Sequence, residues 1–365
     1  MTLPGIRAKI RGVAYDENSF RSADHFDVRI VFSRPRTLEL AREARLPSDF
    51  VGVADELQLA NDCEQRCWRR FADRATKLRL LLRLLPCLCG ADCVVTGRYG
   101  EEFSIFRGLL GLRHPPFILL DFEWRHKHRS TFRRLASKLI HRLIARGATK
   151  LGVFCKEEAV RYSEWYGIVP EKFVWVPYCT GIEPTDFPAS DNGYIFSGGS
   201  YDRDWPTFFS AVHDLPAKVR IAASPSTVPS LQPSLANVTL LGRVAHDDFY
   251  RQIAGASLVV LSLTDNQLRF PGLRTYVSAM RLGKCVIINE PIGARSYISN
   301  GETGILVKQG DAGELRRAIL SMLENEPRRS AIAQRAREYA AQHFSMESYF
   351  RRLESLAAEV IGNRG

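Results

Sequence analysis

The chain has 365 residues, 45% of them hydrophobic and 25% charged, which suits two folded domains and excludes a disordered chain. No apolar run reaches the roughly 18 residues of a membrane-spanning helix, since Leu80–Leu88 is interrupted by Arg83 and Ala256–Leu263 is too short. The formal charge of +11 is uneven: about +10 falls in residues 1–180, so that half faces an anionic partner or is heavily solvated.

In chain order, Met1–Phe20 has no signal-peptide core, so the cytoplasm is the expected compartment. VRIVFS (28–33) is the first strand-like run, and CVVT (93–96), FILL (117–120), LGVFC (151–155) and FVWVP (173–177) follow, most at helix-length intervals. Strands alternating with helices imply a parallel sheet covered on its faces. Trp68–Leu85 and Thr131–Arg146 are basic amphipathic helices. In the second, Phe132, Leu135, Leu139, Ile140, Leu143 and Ile144 share one face and Arg134, Lys138, His141 and Arg142 the other. Arg125 to Lys150 contains nine basic residues and no acidic one. Such a helix suits an anionic membrane surface, or else packs its apolar face on the sheet and leaves the basic face solvated.

Residues 177–193, rich in Pro, Gly and turn-forming polar residues, interrupt the rhythm and mark a hinge. The pattern restarts with YIFSG at Tyr194, then VRIAA, VTLLG (238–242), SLVVLS (257–262) and CVIIN (285–289). Glu326 to Val360 is helical with a break near His343–Met346. The expected division is residues 1–180, 181–345 and a final helix, 346–365, returning to the first part. The eight cysteines form no CxxC pair and read as small buried hydrophobes, with no metal site expected.

Chemistry concentrates where strands end. YIFSGGSYDRD delivers Gly199 and Arg203 between a strand and a helix, so backbone amides and a guanidinium can meet a phosphate. Gly272, Leu273, Arg274 and Thr275 open another helix, whose first amides lack internal partners and whose dipole end is positive, both suited to a diphosphate. In the first half, Arg98 and Tyr99 follow one strand and Asp121 and Glu123 the next, on the carboxyl edge where open α/β sheets place ligands.

The order SAMRLGK, CVIIN, a Gly293 loop, then NGETGILV and a Glu-Leu-rich helix resembles the donor domain of the family 4 retaining glycosyltransferases of GT-B fold. Leu241–Leu263 is similar to the family's unit that approaches the nucleotide base, and Ala145–Phe187 to its interdomain link. The resemblance covers roughly residues 90 to 361 and implies an α/β, GT-B architecture: two Rossmann-like domains whose parallel sheets face each other across a cleft. It also implies base or ribose contacts from Arg243, Val244 and Ser278, and an acceptor-activating role for Asp121 or Glu123. Two family features are changed. The paired glutamates fall on Phe270 and Ser278, and only 27 residues precede VRIVFS, none resembling the usual Gly-rich first loop, so a late start or a reduced acceptor domain is expected.

The implied activity is metal-independent sugar transfer, with retention, from a nucleoside-diphosphate sugar to a glycan or lipid-linked acceptor. The alternative is an inactive sugar-nucleotide-binding or scaffold protein of the same fold. No cofactor beyond the donor substrate is expected. A peripheral membrane contact fits the basic helices, whereas no nucleic-acid-binding motif accompanies the basic charge.

Overall fold

The computed structural model describes residues 30–32, 50–52, 82, 85, 91–97, 100–122, 131–229, 235–264 and 271–362. Its short aliphatic runs assemble into two six-stranded sheets in which every pairing is parallel. The first contains β1 (Ile30–Phe32), β2 (Phe50–Gly52), β3 (Cys93–Thr96), β4 (Phe117–Leu119), β5 (Lys150–Val153) and β6 (Phe173–Trp175), ordered β2-β1-β3-β4-β5-β6. The second contains β7 (Tyr194–Gly198), β8 (Lys218–Ala222), β9 (Val238–Leu240), β10 (Leu258–Leu261), β11 (Val286–Asn289) and β12 (Ile305–Val307), ordered β12-β11-β10-β7-β8-β9.

VRIVFS supplies β1 at Ile30–Phe32, which pairs with both β2 and β3. The strands β2 and β12, each three residues long, lie at sheet edges.

In the first sheet, Val94, Phe117 and Leu119 point to one face and Cys93, Val95, Ile118 and Leu120 to the other, the period of two expected of a strand. Both faces are therefore apolar and both need cover. One is covered by α1 (Glu101–Leu110), α2 (Thr131–Gly147) and α3 (Lys156–Tyr166), through Phe103, Ile144, Tyr162 and Tyr166. The other is covered from the far end of the chain. Helix α9 (Met346–Gly362) buries Phe350, Leu353, Leu356, Ala357 and Val360 against it.

The second sheet is covered on one face by α4 (Trp205–Val212) and α7 (Ala312–Glu324), and on the other by α5 (His246–Ala254) and α6 (Leu273–Arg281). Helix α8 (Glu326–His343) packs on α6 and, after a break at Phe344 and Ser345, hands the chain to α9.

Helices α1 and α2 cross at backbone distance. A methyl group on Gly147 would collide with the Ser104 carbonyl, and one on Gly108 with the Leu143 carbonyl. The Ser104 hydroxyl donates to Ile144 O (2.7 Å) across the same crossing. Arg107 is wholly buried beside it, donating to the carbonyls of Gly147 (3.0 Å), His114 (3.2 Å) and Pro115 (2.7 Å). Burial lowers its guanidinium pKa to about 10, so it stays charged at neutral pH.

The halves are tied by Tyr297. Its buried hydroxyl accepts from Tyr178 N–H (2.9 Å) in the linker and donates to Phe154 O (2.7 Å) beyond β5, while its ring packs on Phe344. The Trp175 indole N–H donates to the same Phe154 carbonyl (2.8 Å).

Two substitutions test this frame by denaturant midpoint. Gly147→Ala forces α1 and α2 apart and is expected to cost about 1–3 kcal/mol. Tyr297→Phe strands the Tyr178 amide in a dry site and is expected to cost about 1–3 kcal/mol, with the unfolding transition losing cooperativity between the halves.

Candidate functional site at the carboxyl edge of the second sheet

All strands of the second sheet run the same way, so the loops after β7, β8, β9 and β10 gather on one edge. The first is the Gly-Gly turn. Gly198 ends β7 beneath the Phe249 ring of α5, where any side chain would strike the aromatic carbons. Gly199 has φ of 100°, and a side chain there would also strike the Arg203 guanidinium.

Arg203 holds this loop from within. Its Nε (2.9 Å) and Nη2 (2.7 Å) donate to Gly198 O, its Nη1 donates to Tyr201 O (2.8 Å), and Nη2 lies 3.5 Å from Thr275 Oγ1 at the start of α6. Backbone bonds stitch the same loop to the end of β10: Asp204 N–H to Ser262 O (2.9 Å) and Thr264 N–H to Asp202 O (3.1 Å). Burial lowers the Arg203 pKa to about 10, with Asp202 opposing the shift, so the half-buried group remains a cation under the loop.

Helix α6 begins at Gly272, whose φ of 83° is left-handed and whose missing side chain leaves room for Leu263. Its carbonyl accepts from Thr275 N–H (2.9 Å) and Tyr276 N–H (3.2 Å), whereas helical geometry gives the amides of Leu273 and Arg274 no partner within the helix. Thr275 is buried and Arg274 exposed. The adjacent β10 end is clamped by Asn289, which accepts from Leu263 N–H (2.7 Å) and donates to Leu263 O (2.6 Å).

The loops after β7 and β8 contribute hydroxyls and the loop after β9 a guanidinium. Ser200 Oγ accepts from Ser224 N–H (2.8 Å), Ser224 and Ser226 hydroxyls lie 3.0 Å apart, and Arg243 Nε donates to Ser224 Oγ (3.2 Å). Arg243 is exposed beside the half-buried Val244. Gly199, Arg203, Gly272, Leu273, Arg274, Thr275, Arg243 and Val244 thus belong to one edge.

Ser278 does not. The position aligned with a ribose-binding glutamate is completely buried, and its hydroxyl lies 3.2 Å from that of Thr180 in the linker. One helical turn separates it from the exposed end of α6, and a serine is too short to reach back. The linker is laid along α6: Tyr178 at Arg274, Thr180 at Ser278, Glu183 at Arg281 (2.6 Å), and Ser190 O at Lys284 Nζ (2.6 Å) just beyond. Lys284 also donates to Ala256 O (2.9 Å), and burial lowers its pKa to about 8 against the opposing pull of Asp191.

On the first sheet, Asp121 ends β4 in the left-handed region (φ 55°), with its carboxylate facing Gly97 at the end of β3. Arg98, Tyr99, Glu123 and Phe270 lie outside the described residues, as do Cys63, Cys67, Cys87 and Cys89. Consecutive linker residues connect the two sides. Tyr178 feels the Arg274 guanidinium, which offsets part of the upward shift that burial imposes on the phenol. Cys179 is in electrostatic range of Asp121, and burial with that negative neighbour pushes its thiol up to about 12. Sequence reasoning missed Tyr178, Thr180 and Ser224, isolated polar residues in Pro- and Ser-rich turns that carry no periodic signal, and Asn289, which ends the buried strand β11. An open groove of about 700 Å³ between Trp175, Tyr339, His343 and Tyr349 contains none of the candidate residues.

Residues 233–339, from the approach to β9 through most of α8, match the family model described as Glycosyl transferases group 1. No curated protein sequence is matched. Among solved structures, Anabaena HepE in complex with UDP is similar at TM-score 0.67 and 15% identity, over 91% of this chain and 100% of that one. A glycosyltransferase from Rickettsia africae is similar at TM-score 0.65 and 14% identity, over 93% and 100% of the two chains. Sucrose-phosphate synthase from Thermosynechococcus elongatus follows at TM-score 0.60 and 15% identity, over 79% of each. The fold is GT-B, with two Rossmann-like halves and parallel sheets.

The Gly-Gly turn offers a direct check. Gly199→Ala has to displace the Arg203 guanidinium and adopt a positive φ, so a stability loss of about 1–3 kcal/mol is expected in thermal or denaturant melts. Pairing it with Arg203→Ala is expected to recover part of that loss, because the collision disappears.

Proposed function

We propose that this chain is a glycosyltransferase moving a sugar from a nucleoside-diphosphate sugar to a hydroxyl of a glycan or lipid-linked acceptor. The observation that carries the reading is the arrangement at the start of α6. Two amides without helical partners and the exposed Arg274 stand beside a Gly-Gly turn underlain by Arg203. A diphosphate is the ligand such an edge suits: the amides bond its oxygens and the guanidinium forks onto them. The family match over residues 233–339 covers this helix, and HepE, of similar fold, has been solved with UDP and with UDP-glucose.

In this mechanism the departing diphosphate gathers negative charge as the sugar–oxygen bond breaks. The Leu273 and Arg274 amides and the Arg274 guanidinium stabilise that charge, so the step needs no metal. Arg203 adds positive potential from beneath the loop and keeps Gly199 in place. Arg243 and Val244 flank the base. Asp121, across the linker, positions or deprotonates the acceptor hydroxyl, a role the sequence offers to Glu123 as well, and Arg98 and Tyr99 are the proposed acceptor-side contacts. Retention at the anomeric carbon and kinship with family 4 follow from the SAMRLGK to NGETGILV resemblance.

One observation favours a second reading, an inactive sugar-nucleotide binder: Ser278, which aligns with the family's ribose-side glutamate, is buried against Thr180. Calorimetric titration with a panel of nucleoside diphosphates and their sugars, followed by transfer assays with membrane extract, separates the two. The transferase reading expects binding of at least one donor, weakened about 10–100-fold in Arg274→Ala without a change in melting temperature, and turnover of the bound donor. Binding with neither transfer nor hydrolysis supports the second reading. Unchanged affinity in Arg274→Ala rejects the diphosphate assignment in both.

A further inference from the structure

The structure divides α2 into three faces rather than two. Its core-facing positions are His141, Ile144 and Ala145, with Ala148 just past the end. His141 is buried, stacked on Tyr166 (ring centroids 4.1 Å apart) with Nδ1 2.7 Å from Ser137 O, so it leaves the basic face where the sequence pattern placed it. Ile144 likewise leaves the apolar stripe for the core. What remains of that stripe is turned away from the described core. Phe132 is 80% exposed, Leu135 63%, Leu139 61% and Ile140 47%. At 3.6 residues per turn, positions 132, 135, 139 and 143 lie on the side of the helix opposite 141, 144, 145 and 148.

The roll that presents this stripe is locked from both flanks. Gly147 and Ser104 fix α2 against α1. On the other side, Arg142 Nε donates to Tyr166 O (2.7 Å) at the end of α3, and Lys138 Nζ sits over the Trp165 ring (5.3 Å). Leu109 and Leu110, at the end of α1, are exposed as well. The helix carries Arg134, Lys138, Arg142 and Arg146 and no carboxylate, within a segment, 125–150, that has nine basic residues and no acidic one.

We propose that α2 docks the first half of the molecule on an anionic lipid surface, lying in the plane of the interface with Phe132, Leu135 and Leu139 among the acyl chains. Charge complementarity selects this occupant. A lipid surface offers phosphate negative charge and hydrocarbon together, whereas a second copy of this chain brings another cationic stripe to the same contact. Among the described residues no helix is long and apolar enough to cross a membrane, so contact through α2 is in the interfacial plane. The helix extends about 25 Å, enough for a single strip of contact. The proposal stands apart from the transferase reading, because lipid binding is measured without donor or acceptor.

The test is cosedimentation of the full chain with vesicles of phosphatidylcholine alone or with added phosphatidylglycerol. The chain is expected to bind the second kind, to release as salt rises, and to ignore the first. Leu135→Ser with Leu139→Ser is expected to lower partitioning by about tenfold or more at unchanged net charge, and Arg146→Glu, which falls between Leu135 and Leu139 around the helix axis, to lower it as well. Light scattering and melting curves of both variants are expected to match the parent, since these side chains are exposed. Equal binding by the leucine double variant would show mere attraction of a basic protein to negative charge and overturn the proposal. Absence of binding overturns it too, as does a parent dimer, indifferent to vesicles, that the leucine double variant converts to monomer.

Discussion

A single buried hydroxyl holds the two halves of this molecule in register. Tyr297 belongs to the second half, accepts from the linker at Tyr178, and donates to the first half at Phe154, which also takes the Trp175 indole. Buried polar atoms without partners are costly, so the three segments have one arrangement in which all are satisfied. The ring adds Phe344, the point where the terminal helices turn back toward the first sheet. The linker that leaves this knot cannot wander: Thr180, Glu183 and Ser190 are each bonded along or just past α6. The candidate diphosphate helix and Asp121 are therefore placed relative to each other by consecutive residues, Tyr178 and Cys179.

The edge of the second sheet follows a different logic, in which rigidity comes from beneath and charge is left on top. Arg203 spends three hydrogen bonds on its own loop, and Asn289 spends two on Leu263. Neither is an ordinary surface group, and both act on backbone whose shape a ligand would read. Arg274, by contrast, is exposed, and the amides beside it have no helical partner. A site built this way is preorganised, because the groups that would meet a diphosphate are held by others that do not.

The uneven charge acquires a location. Most of the positive excess lies in the first half, and α2 concentrates it beside aliphatic side chains that no described part of the protein covers. The tight crossing with α1 orients those side chains, since Gly147 and Gly108 allow backbone contact where any larger residue would roll the helix.

Two parallel sheets, their order along the chain, the break between α8 and α9, and the Gly-Gly and Pro-Gly turns at strand ends were all legible in the sequence. Each rests on local physics: apolar runs spaced by helices, and glycines where only glycine accepts a positive φ. The residues proposed to meet a diphosphate stand out in the sequence for the same reason, since they adjoin such turns. Ser278 and His141 were not. A residue's helical position fixes its angle about the axis, and only the packing of neighbouring elements decides which angle faces the core. Tertiary structure turned Ser278 toward Thr180, buried His141 against Tyr166, and left Phe132, Leu135 and Leu139 outside. It alone also joined Tyr178, Phe154 and Tyr297, which are up to 143 positions apart and meet because the halves dock, not because any local pattern brings them together.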